Sequence, residues 1–355
     1  MKIRMNPFVV VSTLVTTLMC LLSLTLAGCD FIGEGDDNNL DGNPNQLYPV
    51  KIDGKWGYIN GLGRITIIPQ YDRGRDFAEG LAAVQLDARW GFVSPEESEV
   101  VVPVYQDVGD FAEGLAFVQA EGINAQYGFI DRTGNTVIDH LYVTARGFSE
   151  GLAAVRLDTR WGYINSRGEQ VITPSYTVAR PFSEGLAAVE GLQGWFYINK
   201  NGDVAIEPTL TVQRLGDFKE GLAPFETEDG WGYMNTRGEP VIAPRFTQAE
   251  PFSEGLAVIE TEEGGFEFID KAGEIVVFGE FNEAQPFAEG MAAVRINNDW
   301  TYVSKATGRV AIERNFDGAE GFDGGLAQVF FGDLNDNPRI GYIDRAGEYV
   351  WFPMN

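Results

Sequence analysis

One short phrase returns along most of this chain, and its period constrains the fold more than any other feature. It reads FAEGLAAV from Phe77, FAEGLAFV from Phe111, and FSEGLAAV from both Phe148 and Phe182. It continues as FKEGLAPF from Phe218, FSEGLAVI from Phe252, FAEGMAAV from Phe287 and FDGGLAQV from Phe322. The intervals between those phenylalanines are 34, 37, 34, 36, 34, 35 and 35 residues. A second phrase keeps step: WGYIN at Trp56, WGFVS at Trp90, YGFID at Tyr127, WGYIN at Trp161, WFYIN at Trp195, WGYMN at Trp231 and WTYVS at Trp300. A third, I-x-P-x-[YF], follows it, as in Ile172-Thr173-Pro174-Ser175-Tyr176. A fixed period of this length means a stack of small units, each burying its face on the next. About nine units of about 35 residues fill 47–355. The first lacks the F-x-E-G lead-in, yet LYPVKIDGKWGYI lines up with GLAAVRLDTRWGYI; the last stops at Trp351-Phe352-Pro353. Atypical end units suit capping of a stack.

Within a unit the pattern is β. Residues 151–184 contain no useful i, i+3, i+4 apolar run, so helix is not expected. Three short β-branched or aromatic segments appear instead, at 152–157, 161–165 and 171–173. They are separated by Asp-Thr and by Asn-x-x-Gly, which are hairpin signals. Along the middle segment Trp161, Tyr163 and Asn165 face one way, Gly162 and Ile164 the other. The glycine beside the tryptophan allows close approach of a neighbouring chain.

The W-G-[YF]-[IV]-[ND]-x-x-G core with E-G-L-A upstream resembles the WG-repeat family of bacterial proteins, over about 300 residues. The WG pair is altered at Tyr127, Phe196, Gly265-Phe266, Thr301 and Ile340. The resemblance implies a scaffold rather than an activity. The expected fold is all-β, short antiparallel strands in tandem. Short units, an awkward count of nine and no visible permutation favour an open superhelical, solenoid-like array. A closed β-propeller with one blade per repeat is the alternative.

Lys2 and Arg4 precede an apolar run at 8–26 and the tetrad Leu26-Ala27-Gly28-Cys29. This is a secretory signal pattern, and its last four residues resemble the bacterial lipobox. The resemblance implies cleavage after residue 28, a lipid on Cys29 and a bacterial cell-envelope location, anchored in the bilayer. Residues 29–46 then form the lipidated cysteine and a flexible acidic tether. An uncleaved membrane anchor is the competing reading of the apolar run. The only other cysteine, Cys20, lies within 1–28, so the mature chain has neither disulfide nor free thiol for nucleophilic chemistry.

The net charge of −26 argues against nucleic acid as a partner. One histidine and two cysteines exclude most zinc, haem and iron–sulfur sites, and no cofactor is expected. Four groups of residues remain as candidate chemistry. Glu79, Glu113, Glu150, Glu184, Glu220, Glu254 and Glu289 hold one repeat position, replaced by Gly324 in the eighth copy. They read as turn residues bonding local backbone N–H groups, against a carboxylate stripe that binds cations. Trp56, Trp90, Trp161, Trp195, Trp231 and Trp300 and the aromatic row beside them read as core between units, against an exposed sugar-stacking row. His140 occupies the proline position of its unit and reads as repeat drift rather than catalysis. Asp333, Asn335 and Asn337 sit in an insertion that partly resembles a calcium loop but lacks its glycine and distal glutamate. The combined expectation is a non-catalytic envelope lipoprotein that binds or scaffolds a protein or glycan partner. A structural envelope spacer is the alternative, and a glycan-acting hydrolase with a carboxylate pair a remote one.

Overall fold

The computed structural model describes residues 42–352 apart from 97–98, 123–124 and 335–336. The expected leader 1–28, the expected lipidation at Cys29 and the expected tether up to residue 41 lie outside the described residues. Among the described residues no helix is long and apolar enough to cross a membrane.

Every described element is a β-strand, and each repeat folds as its own antiparallel meander. Unit 4 shows the plan. Its strands are Thr144–Ser149, Leu152–Leu157, Arg160–Asn165 and Gln170–Tyr176, hydrogen-bonded in that order. The E-G pair turns the first strand into the second. Glu150 and Gly151 have φ of 54° and 88°, the two left-handed residues of a type I′ hairpin. Asn165 closes the third turn: its Oδ1 accepts the N–H groups of Arg167 and Glu169. The same plan repeats as unit 2 (73–105), unit 3 (107–142), unit 5 (178–206), unit 6 (214–246), unit 7 (248–281), unit 8 (282–316) and unit 9 (318–351). Unit 1 (47–71) has three strands, because its sequence lacks the lead-in strand. Units 7 and 8 are continuous through the strand Ile275–Ala284, the outermost of one and the innermost of the other.

The chain is thus a tandem array of small sheets, as the repeat requires, and among the described residues no sheet closes into a barrel. Cores lie between neighbours rather than within units. Trp161, Tyr163 and Ile172 of unit 4 form one cluster with Phe182, Val189 and Ile198 of unit 5. The ends of the array meet. Tyr48, Val50 and Ile59 of unit 1 share a core with Leu326, Ile340 and Tyr342 of unit 9. The hydroxyl of Tyr342 donates to Pro49 O at 2.8 Å, and Asn43 N donates to Gly324 O at 2.9 Å. No strand passes across this seam. The array comes round to a ring by packing alone, as in the closed alternative.

First strands lie on the inner side of that ring. Desolvation there, then the charges of Asp323 and Asp110, hold the Asp76 carboxyl above the ordinary range. Fourth strands form the rim, with the alternation of exposed and buried side chains seen in Gln170–Tyr176.

Candidate functional site

The repeated glutamates are joints between units. Glu150 Oε2 accepts the N–H of Gly185 in unit 5 at 2.9 Å, and Lys200 Nζ of unit 5 lies 3.1 Å from it. Glu79 accepts the N–H groups of both Glu113 and Gly114 at 2.8 Å. Glu113, Glu184, Glu220, Glu254 and Glu289 each accept the N–H of the corresponding glycine one unit on, at Gly151, Gly221, Gly255, Gly290 and Gly325. The sequence reading had these carboxylates bonding local N–H groups; the bonded N–H belongs to the next unit. Geometry explains the difference. Adjacent E-G turns lie side by side, and a glutamate reaches across the gap. A left-handed glutamate is strained by roughly 1 kcal/mol, where asparagine would suit the turn better. Its recurrence at φ of 51–55° therefore points to what the longer side chain reaches. Lys271 and Arg345 pair with Glu220 and Glu289 as Lys200 does with Glu150. Partial burial raises the Glu150 and Glu220 carboxyls, but the lysine and backbone N–H donors outweigh it and hold both below the ordinary range.

The aromatic row lies in the joints too. Tyr163 meets Phe182 of the next unit with ring centres 4.9 Å apart, and its hydroxyl donates to Arg180 O at 2.7 Å. Tyr58–Phe77, Tyr197–Phe218 and Tyr233–Phe252 repeat that pairing. Phe92, Phe129 and Phe268 keep the ring contact without the hydroxyl. Trp90, Trp161 and Trp300 are buried on the same face, while Trp56, Trp195 and Trp231 are half-buried there. Guanidinium groups cover several of them, Arg75 lying 4.6 Å from the Trp90 ring.

The glycine of the WG pair sets how the fourth strand lies. At Gly162 a Cβ would stand 2.5 Å from Ile172 O and 2.7 Å from Pro174 N. The fourth strand bulges over that glycine and pairs again at Trp161 with Tyr176. Units 5, 7 and 8 carry a side chain there, with different results. Thr301 is accommodated, its hydroxyl donating to Ile312 O, and Trp300 still pairs with Phe316. Glu267 leaves the Phe266–Phe281 pair intact. Phe196 is too large. The fourth strand of unit 5 stops at Val204–Ile206, and no pair forms at Trp195.

The displaced segment opens a cavity on the rim of about 630 Å³, within the range of ligand pockets. Tyr176 and Phe196 line one side, their rings 5.9 Å apart. Trp195 and Val212, which belong to the core shared with unit 6, line the other. Gln193, Thr209 and Thr211 supply polar groups, and Glu207 is the single charged residue in the wall. Leu192 at the adjoining turn is 87% exposed. Sequence reasoning noted Phe196 as an altered WG pair but missed the groove. The signal was a double departure in one unit, Phe196 for the glycine and Leu210 for the aromatic residue of I-x-P-x-[YF]. A smaller cavity of about 380 Å³ touches Glu260, Glu283 and Gln285. These three side chains are engaged by Thr247, Arg295 and Ala319 O.

The insertion in unit 9 is arranged as a tie to unit 1. Lys51 donates to Asn337 Oδ1, Asp333 is exposed, and Asn335 lies outside the described residues. Among the described residues no group of three or more acidic, histidine or cysteine side chains is placed to hold a metal ion. His140 lies in the fourth strand of unit 3, Thr136–Tyr142, on the rim.

The repeat geometry has a counterpart in known sequences. The WG-containing repeat matches eight successive segments: 56–90, 90–122, 127–158, 161–190, 195–230, 231–263, 268–300 and 300–334. The chain belongs to the WG-containing repeat family. A search of curated proteins gives no match. Among solved structures, a eukaryotic initiation factor superposes with a TM-score of 0.65 at 11% identity, over 86% of this chain and 94% of that one. The computationally designed Ika8 protein gives 0.50 at 10% identity, over 86% and 98%. Dipeptidyl peptidase 4 of Porphyromonas gingivalis gives 0.54 at 10% identity, over 78% of this chain and 58% of that one. At such identities the likeness is one of fold alone.

Proposed function

We propose that this chain is a non-catalytic bacterial envelope lipoprotein, held to the bilayer through Cys29, whose ring of repeats binds or scaffolds a protein or glycan partner. One observation carries the reading. The residues that recur as signatures are spent on joining units, while the repeat breaks at unit 5 to leave an aromatic-walled groove on the rim. A ring of repeats with an irregular groove suits recognition better than chemistry. The joined glutamates also have their carboxylates committed to backbone N–H groups, which suits a structural role.

Crosslinking of intact cells, followed by mass spectrometry of material retained by a C-terminal tag, tests this. A reproducible protein or glycan partner is expected, with capture lost when 207–212 is replaced by a Gly-Ser segment. Empty capture would instead leave a structural spacer. The anchor has its own check: Cys29→Ser moves the protein from the membrane to the soluble fraction and abolishes incorporation of labelled palmitate.

A further inference from the structure

We infer that the groove in unit 5 takes a short extended peptide of a partner protein, added as a strand along the free edge at Gly194–Trp195–Phe196, with an aromatic side chain opposite Trp195. This rests on the binding reading above and names the class of partner.

The position of the void comes first. Trp195 and Phe196 are consecutive in one strand and point to opposite faces of the sheet. Both line the same cavity. A space bordered from both faces lies off the strand's edge, so backbone polar groups of that edge face it. An unpaired edge flanked by side-chain pockets is the arrangement used in strand addition.

Sibling units then describe the missing piece. In units 1–4 and 6–8 the position opposite the Trp-level residue is held by Tyr or Phe of the unit's own outer strand, as in Trp161–Tyr176 and Trp231–Phe246. In unit 5 that place falls to Leu210, which stands 44% exposed and pairs with no strand. The slot is therefore an outer strand's slot without its strand.

Several outer edges are guarded, and the short edge at Gly194–Trp195–Phe196 is not. The outer strands of units 1, 2, 4 and 6 carry Pro69, Pro103, Pro174 and Pro244, and that of unit 8 carries Arg309, Glu313 and Arg314. Proline and charge block strand pairing. The edge at Gly194–Trp195–Phe196 has neither. With Glu207 as the only charged wall residue on a chain of net charge −26, a peptide carrying a basic residue is favoured over an acidic one.

The probe is a fluorescein-labelled peptide with the sequence of residues 238–247, GEPVIAPRFT, which is unit 6's own outer strand. Titration with the full chain in detergent micelles should give a saturable rise in anisotropy. The Phe246→Ala version of the peptide should bind at least tenfold more weakly. Phe196→Gly in the protein restores the WG pair, lets 207–212 return over it and should also weaken binding at least tenfold. Amide hydrogen exchange on the unaltered protein gives a readout that does not depend on a variant folding: protection should appear at 194–196. No saturable binding, equal binding by Phe196→Gly, or protection confined to the rim strands of other units would each overturn the inference. So would occupation of the groove by soluble glycan oligomers with no peptide binding, although the broader binding reading would then survive.

Discussion

The joint between units 4 and 5 and the seam between units 9 and 1 do the same work with different residues. At the regular joint Tyr163 meets Phe182 edge to face, its hydroxyl bonds Arg180 O, and Glu150 crosses to Gly185 N with Lys200 beside it. At the seam Tyr342 meets Tyr48 in a tilted contact with ring centres 5.4 Å apart, and its hydroxyl bonds Pro49 O at 2.8 Å. The aromatic contact and the tyrosine hydroxyl thus transfer to the seam, but the glutamate joint does not. Unit 1 has no F-x-E-G strand, so it offers no E-G turn for a carboxylate to reach. Tyr48 fills the space that a phenylalanine fills elsewhere, and it donates to Gly324 O at 2.9 Å. The difference also explains the one copy that reads FDGG. A Cβ on Gly324 would stand 2.0 Å from Gln46 Oε1 and 2.6 Å from the Tyr48 hydroxyl. The glutamate is missing where unit 1 occupies its place.

Removing the aromatic contact breaks the comparison hardest. Phe182→Ala and Tyr48→Ala each delete a buried ring at a joint and should cost about 3–5 kcal/mol. The consequences should part. Phe182 lies inside the covalent run, so its loss should lower the main thermal transition. Tyr48 holds only the seam, so its loss should free 47–60 and 326–343 to exchange amide hydrogens while units 3–7 stay protected. Collapse of protection throughout the Tyr48→Ala protein would show that closure supports every joint, not one.

Exchange of the joint residue is a smaller and sharper test. Gly324→Glu forces Gln46 and Tyr48 aside and should cost about 2 kcal/mol, within the usual range for overpacking. Glu150→Asn tests by sign. Asparagine is the better residue for a type I′ turn, so a turn role alone predicts a gain. A joint role predicts a loss, because the shorter side chain does not reach Gly185. A hydrogen bond to a charged acceptor contributes about 1.5–3 kcal/mol when buried; partial exposure reduces this to about 1 kcal/mol. A net loss of about 0.5–1 kcal/mol in chemical denaturation is expected.

Unit 4 shows how far the sequence reaches. Its turns, its three principal strands and the alternation of Trp161, Gly162 and Tyr163 follow from residue type and spacing, because period-2 patterning and Asn-x-x-Gly are local signals. Partners across a joint are not local. Nothing in the phrase FSEG says that Glu150 serves Gly185 rather than its own turn, since the two turns are 35 residues apart. The seam was harder still. The missing lead-in of unit 1 was visible, but its replacement by Tyr48 depends on the ring coming round, which no local pattern encodes. Phe196 was visible as an exception, while the resulting groove depends on the volume of one ring under a strand that elsewhere lies against glycine.

Acid should separate the seam from the regular joints by sign, with the smallest effect of the three. Near the seam, Asp76 of unit 2 is held above the ordinary range by desolvation, then by Asp323 and Asp110. Glu320 of unit 9 is held there by desolvation, then by Asp76. A carboxyl whose pKa is raised on folding favours the folded chain while protonated and loses that contribution as the pH rises through its folded value. At neutral pH these two groups therefore oppose each other across unit 1. The joints run the other way. Glu150 and Glu220 are held below the ordinary range, so their contribution is intact above an unfolded value of about 4.3 and is lost as the pH falls through the folded one. Lowering the pH from 7 should slow amide exchange at 47–60, corrected for intrinsic rates, before any joint weakens; below the ordinary glutamate value of about 4.3 the joints should loosen together. Asp76→Asn with Glu320→Gln should raise the midpoint at pH 7 by about 1 °C and abolish the first effect while sparing the second. Retention of both pH effects in that double variant would place the seam's acid response on other groups.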